Sequence, residues 1–542
     1  MKVLIVVPIP KDKDYKMEEL GPCYVAAYAR KQGYTVELMT IINEESNYDK
    51  IEILNPDLVG ITVYNQTAPL VHRFIVGLKA RFPHVTVSLG GCFPSIHYNE
   101  LMRDWPDVDY IIKGEGEIAF YKLLQYLESK LDSVTEVPNL VYRVKDEIRS
   151  SQENIFVDDL DVLPFPARDL LIDSDLNVAS IFTSRGCTRN CSFCLSHVYW
   201  KKWRGVSPKR VVDEIENIIE ETGLHRFLIH DNSFEDPGFS RERMIAIAQE
   251  IINRKVNITY WTFFRAESYK NMDSELVKIL RKSGLASVEI GIETGNEEDL
   301  KLYGKTASME DNKNCLKFLR ENKIYPYIGF MNFNPYSALE RLRENCKFLR
   351  EYKYASNVER FITFTELYEG TKLIQKVRQD GLLREDSTYE KNKYHYVNPE
   401  IGKMHDFLTD YFNYERGMTE NLSKLALIST YSRFFSSDIA NIETHFLNNG
   451  KLDEYEIVQE YDEKYESILD GINDYIADWF DELLDILEVE WNDEKAMDVT
   501  NKYFVNDYII AVSGQLHELY MKLYFKLVRK NKNYIRLFRR VK

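Results

Sequence analysis

The chain has 542 residues, 44% hydrophobic and 29% charged, with a formal net charge of −16. That length exceeds what one hydrophobic core sustains, so two or three domains are expected, and the acidic balance argues against a general nucleic-acid binder. No run of about 18 apolar residues offers a membrane span.

The start, MKVLIVVPIP followed closely by KDKD, lacks a small-residue cleavage site and reads as a buried strand, so a cytoplasmic protein is expected. Beyond it, TVELMTII, LVGITVYN, TVSLGG and DYIIKGEGE alternate with helices over Tyr24 to Gln32 and Pro69 to Arg81. Strands separated by helices of this length imply a parallel, doubly wound, Rossmann-like sheet, whose ligands sit beyond the strand carboxyl ends. Those ends carry Thr62, Tyr64, Asn65 and Gln66, then Gly90 and Gly91, then Gly114, Glu115 and Gly116. Glycine there lets backbone amides approach a ligand, although such glycines often serve only the turn.

A two-proline segment, DDLDVLPFPARDLL (158 to 171), reads as an interdomain linker. After it come six strand candidates: SIFTSRG, RFLIHDN, ITYWTFFR, ASVEIGIE, YPYIGFMNF and RFITFTEL. Six β/α repeats suggest an open, partial (β/α)6 barrel with its chemistry at the strand C-termini. From about residue 385 the pattern is mostly α-helical, as in YIADWFDELLDILEVEW. The expected domains are 1–145, 176–384 and 385–542, with a linker over 146–175.

Of seven cysteines, three crowd into eight residues while Cys23, Cys92, Cys315 and Cys346 are scattered, which excludes a disulfide framework and implies a reducing compartment. Cys315 and Cys346 fall in helical patterns and read as core, and Cys92 as a packed thiol. His72 and His97 read as satisfied surface histidines. Cys187, Cys191 and Cys194, in SRGCTRNCSFCLSH, have CxxxCxxC spacing. Three thiolates on one loop can hold three corners of a [4Fe-4S] cubane and leave the fourth iron open to a small chelator. A structural zinc site, with His197 as fourth ligand, is the competing reading.

This motif, with Phe193 before its last cysteine, resembles the radical S-adenosylmethionine superfamily. The resemblance implies that the open iron binds S-adenosylmethionine and that reductive cleavage yields a 5′-deoxyadenosyl radical. EIGIETG (289 to 295) looks like the family segment beside the adenosine, which makes Glu293 and Gly291 candidate contacts. In WTFFRAE, Arg265 and Glu267 share one face by strand alternation, and Arg265 suits the cofactor carboxylate; a rim salt bridge with Glu267 is the alternative. LYEGTKL (367 to 373) resembles the family's turn after the sixth strand.

Residues 1 to about 380 resemble the subclass with an N-terminal cobalamin-binding domain, through GPCYVAAYARKQGYTVEL, VSLGGCFPS, DYIIKGEGE, LPFPARDLL and YWKKWRGVSPKRVVDEI. One departure stands out. The loop IPKDKDYKMEELGP contains no histidine, so the DxHxxG cobalt-ligand motif is missing. The lower face of cobalamin would then be left to water or to Tyr64, Asn65 and Gln66. The resemblance implies a cobalamin-dependent methyltransferase that moves a methyl from methylcobalamin to an unactivated carbon of a natural-product precursor or peptide, served by a flavodoxin-like or ferredoxin-like electron donor. A radical rearrangement, cyclisation or ring contraction is the rival, and a non-enzymatic cluster or cobalamin sensor a third reading. A methylthiotransferase would need a second cluster, yet only Cys23 and Cys92 precede the linker.

The tail is expected to form a helical bundle that selects substrate or caps the barrel; YHYVNPEIGKMHDFL and TYSRFFSSDIANIETHF are candidate caps. Its last 21 residues hold nine Lys or Arg and no acid, while Asp453 to Glu494 is acidic. Such blocks read first as solvated helix faces and less often as docking sites.

Overall fold

The computed structural model describes residues 1–9, 18–43, 48–145, 147–151, 155–172, 174, 176–238, 241–389, 392–412, 436, 438–505 and 507–538. The loop from Lys11 to Met17, with its missing histidine motif, and the candidate cap at 430–435 lie outside them. The chain divides into two compact units: Met1–Thr188 with Leu195–Asn232 and Thr388–Lys391, and Arg189–Cys194 with Ser233–Ser387 and Asn392–Lys542.

The first unit opens with five parallel strands: β1 (Lys2–Pro8), β2 (Thr35–Ile41), β3 (Leu58–Thr62), β4 (Thr86–Gly90) and β5 (Tyr110–Ile112). Strands covered on both faces read as unbroken apolar runs, and in β1 every residue after Lys2 is buried. Alternation divides them between two cores. Leu4 and Val6 pack with Phe74 and Trp105, whereas Val3 and Ile5 pack with Ala26 and Phe120. The sheet order is β2-β1-β3-β4-β5-β6-β7, in which β6 (Leu140–Val144) and β7 (Glu147–Ser150) form an antiparallel edge hairpin. The order turns back at β1 and β3, which opens a crevice beyond their carboxyl ends.

The expected helix from Tyr24 begins earlier, at Leu20. LVGITVYN pairs only through Thr62; Asn65–Thr67 leaves the sheet as a 3-10 turn. SIFTSRG is two strands: β8 (Ala179–Ile181) and β9 (Ser184–Arg185). β9 pairs antiparallel with β10 (Arg204–Gly205), while β8 runs parallel to β11 (Arg226–Ile229). Helix Pro208–Thr222 lies between β10 and β11, with Ser207 Oγ accepting from the Arg210 N–H and Gly223 in the left-handed conformation at its end.

In the second unit β12 (Thr259–Arg265), β13 (Leu285–Glu293) and β14 (Tyr325–Phe330) run parallel. RFITFTEL is not a sixth strand. Asn357 Oδ1 caps the Glu359 N–H and draws Val358–Phe361 into a 3-10 turn, leaving two isolated bridges, Phe333 to Phe364 and Leu367 to Asn392. The tail is helical over Pro399–Tyr411, Leu452–Val489, Asp493–Phe504 and Asp507–Lys530. No helix of the described residues is long and apolar enough to cross a membrane.

Candidate functional site

A cleft of about 1210 Å3, its open mouth included, lies in the first unit beyond the carboxyl ends of β3, β4 and β5. Apolar side chains such as Ile61, Leu89, Phe120 and Phe182 line most of it. Thr62, Tyr64, Gly90, Gly91, Gly114, Glu115 and Gly116 all line it, whereas Asn65 and Gln66 do not, because the 3-10 turn carries them off the strand end. A Cβ added to Gly21 or Gly90 meets no atom within 4 Å, so either would project into open space. The backbone here is bare where a large, flat, mostly apolar ligand would rest.

Around the rim the polar groups are already committed. Tyr64 Oη donates to Glu19 at 2.8 Å, which keeps the phenol protonated, and burial together with Glu19 raises its pKa. Among the described residues no histidine lines the cleft. Glu115, expected as a ligand contact, spends its carboxylate on Arg185 at 3.0 Å, Arg204 at 2.8 Å and the Val157 N–H at 2.6 Å. Arg185 also pairs with Glu117 at 2.7 Å. This buried network fixes the floor of the cleft. Tyr199 Oη donates to Gly114 O at 2.9 Å and lines the cleft with Trp200 and Arg185. Reading by strand ends missed these three, although YWKKWRG had marked the segment of Tyr199 and Trp200. His97 is buried against the Phe93 ring and is no surface residue; Cys315 and Cys346 are buried as expected.

Gly186, just before Cys187, has φ +90°, and a Cβ there would stand 2.4 Å from Lys202 O. Only glycine fits. In the second unit the Cys191–Cys194 segment is fastened on both sides of its middle. The Ser192 N–H donates to Tyr303 O at 2.8 Å, Ser192 Oγ to Leu302 O at 2.7 Å, and the Leu373 N–H to Ser192 O at 2.8 Å. Phe193 is partly buried and packs against the cluster of Leu373, Ile374 and Val377, with its ring 5.3 Å from that of Tyr303. Burial raises the Cys191 thiol and the Lys305 ammonium opposes it. Among the described residues no three His, Cys, Asp or Glu side chains converge as one metal ion requires. A cubane instead takes each thiolate on a different iron.

Glu293 ends β13 at φ +67°, a left-handed conformation rare for a residue with a side chain, and the β13–β14 register slips there. Its carboxylate meets Lys305 Nζ at 3.0 Å, and Lys305 also donates to Gly291 O at 2.9 Å. A Cβ on Gly291 would lie 2.5 Å from Glu293 Oε1, so this pair explains the glycine. Lys305 was invisible to motif reading: it sits in a polar loop and only the fold aims it at Glu293. Arg265 Nη1 pairs with the buried Asp236 at 2.7 Å, and its Nε lies 3.3 Å from Glu235 and 3.5 Å from Glu267. Glu267 stands in a 3-10 turn, not on the strand, so folding and not alternation brings it to Arg265. Glu267 Oε2 is buried without a hydrogen-bond partner.

The CxxxCxxC spacing and, in the second unit, ionic groups at the ends of parallel strands are what a radical S-adenosylmethionine enzyme needs. The Radical SAM superfamily model matches residues 181–349, and the B12 binding domain model matches residues 13–124. The chain belongs to the radical S-adenosylmethionine enzymes that carry a B12-binding domain. It is 25% identical to anaerobic magnesium-protoporphyrin IX monomethyl ester cyclase of Cereibacter sphaeroides, over 69% of this chain and 62% of the relative. It is 29% identical to hopanoid C-3 methylase of Methylococcus capsulatus, over 59% of this chain and 62% of the relative. The chain thus spans less than two thirds of the length of either. In fold it is similar to the cobalamin-dependent S-adenosylmethionine radical enzyme OxsB with aqua-cobalamin and S-adenosylmethionine bound. That likeness has a TM-score of 0.67 at 18% identity, over 98% of this chain and 81% of the other.

Proposed function

We propose that the chain is a cobalamin-dependent radical methyltransferase acting on an unactivated carbon of a small natural-product precursor or a peptide. The observation that carries this is the cleft of the first unit, lined by bare glycine backbone and, among the described residues, by no histidine. When bound, cobalamin supplies a methyl carrier, and the cluster with S-adenosylmethionine supplies one-electron cleavage to a carbon radical. The residues' part is position and dryness. Gly21, Gly90 and Gly114 leave room for the corrin. Tyr64, already donating to Glu19, would border bound cobalamin as a protonated phenol. Cys187, Cys191 and Cys194 would hold the cluster. Lys305, Glu293 and Glu267 offer opposite charges to the ammonium and carboxylate of S-adenosylmethionine. A flavodoxin-like or ferredoxin-like protein would deliver electrons.

Protein made anaerobically with cobalamin is expected to carry near-stoichiometric cobalt and about four irons per chain. Reduced, it is expected to turn S-adenosylmethionine into 5′-deoxyadenosine, with product heavier by one methylene. Iron without cobalt would sink the cobalamin reading. A product of unchanged mass would favour a cyclisation or rearrangement, the direction in which the similarity to the cyclase points.

A further inference from the structure

A second cavity, of about 1180 Å3 with its open mouth included, lies wholly within the second unit at the N-terminal end of β14. Strand β14 runs six residues from Tyr325 to Phe330, so the cavity is roughly 17 Å from the carboxyl ends where the family's chemistry belongs. Its charges are sorted by element. Arg320, Lys323, Lys353 and Arg360 come from the helix before β14 and the turns around it, Lys353 being paired with Asp470 outside the cavity lining; Glu443, Asp462 and Glu466 come from the C-terminal helices. Among the described residues no ion pair joins a cation of the first set to an acid of the second, though Lys323 reaches Gln459 Oε1 at 3.1 Å.

Arg360 is 8% exposed. Its guanidinium lies 5.2 Å from the ring centre of Tyr327 and 4.9 Å from that of Tyr354, and Nη1 donates to Tyr354 O at 3.2 Å. Its Nε has no hydrogen-bond partner. A buried guanidinium with no carboxylate is costly, and an anion entering the cavity would relieve that cost. On the acidic side Glu443 is buried and accepts one bond, from the Gln459 amide. The half-buried Asp462 makes no hydrogen bond or ion pair among the described residues. Burial, with a neighbouring acid beside each, pushes Glu443 up to about 7 and Asp462 to about 6, and Lys323 only partly opposes it.

A pure anion would leave the acids uncompensated, and a pure cation would leave Arg360 so. We propose that this cavity binds a free α-amino acid, its carboxylate held by Arg360 and its ammonium by Asp462 and Glu443, at a site separate from the radical chemistry. The proposal does not rest on the methyltransferase reading, and its failure leaves that reading untouched.

The test is isothermal calorimetry on the reconstituted full-length enzyme with each of the proteinogenic amino acids in turn, followed for any that binds by its methyl ester and its des-amino acid. One amino acid or a few should bind once per chain. Ester and des-amino analogues should bind at least about tenfold more weakly, as should the Arg360→Gln and Asp462→Asn variants, with iron and cobalt content unchanged. Absence of binding for every amino acid at millimolar concentration would overturn the proposal. So would an ester that binds as well as its parent, or binding indifferent to both substitutions. If Arg360→Gln does not fold, Asp462→Asn, which breaks no existing bond, and Arg360→Lys decide the matter.

Discussion

Gly186 shows how tightly one residue can govern the cluster loop. An alanine there would occupy a left-handed backbone that costs about 1–2 kcal/mol and would drive its Cβ to within 2.4 Å of Lys202 O. Because backbone and not a flexible side chain is in the way, the β9–β10 pair must open. Gly186→Ala is therefore expected to lose iron and sulfide severalfold on anaerobic reconstitution, while far-ultraviolet dichroism stays close to that of the parent. A variant with full iron would show that the loop adapts. Glu115 is a second such residue, since its carboxylate answers both Arg185 and Arg204. Glu115→Gln leaves buried guanidinium charge uncompensated and is expected to destabilise the protein by about 3–5 kcal/mol, read as the shift in its urea midpoint. The cysteines were legible in the sequence because their spacing is local. The partners that set the site, Lys305 for Glu293 and Asp236 for Arg265, were not, because nothing in a polar loop announces which strand end it will face.

Helix Leu452–Val489 meets helix Leu339–Glu351 through a row of ion pairs, Arg343 with Asp485 and Glu488, and Arg350 with Asp478 and Asp481. These charges are largely solvated, whereas Trp479 on the same helix is fully buried, packs against Phe361, Phe412 and Phe504, and donates to Thr500. Arg350→Ala is expected to cost less than about 1 kcal/mol, and Trp479→Ala about 3–5 kcal/mol, in parallel urea titrations; the reverse ranking would mean that ion pairs dock this helix. Helix Pro399–Tyr411 presses His405 against Phe333 and Phe364, and burial lowers its pKa from 6.5 to about 4. The unfolded chain thus takes up a proton that the folded chain refuses. This contribution to stability is whole above about 6.5 and is lost as pH falls toward 4, by at most about 3 kcal/mol. His405→Phe should flatten the pH dependence of the melting temperature between pH 5 and 7; an unchanged slope would remove His405 from that account. The buried parallel strands β1 to β4 were readable as apolar runs. The β6–β7 hairpin was not, for β7 is an exposed edge strand of mixed polarity, and RFITFTEL misled because β-branched and aromatic composition says nothing about a cap at Asn357.

At the scale of the whole molecule, the order of strand and helix made the doubly wound sheet and the parallel repeats legible. The outline of the cleft was not, because it depends on side chains such as Arg185 and Trp200 that sit far along the chain from the glycines. Ligand occupancy of that cleft can be read as stability. A ligand that binds only the folded chain stabilises it by about 2.7 kcal/mol at a hundredfold excess over its dissociation constant. Hydroxocobalamin is therefore expected to raise the melting temperature of the apoprotein in proportion to the logarithm of its concentration. Gly90→Val provides the control, since a Cβ there meets no protein atom within 4 Å and the side chain would enter the space proposed for the corrin. Such a variant should melt within about 0.5 kcal/mol of the parent when apo and show no rise with hydroxocobalamin. A rise as large as that of the parent would place the ligand elsewhere and detach the glycine-lined cleft from cobalamin, while a large loss of apo stability would mean that Gly90 serves the sheet and not the ligand.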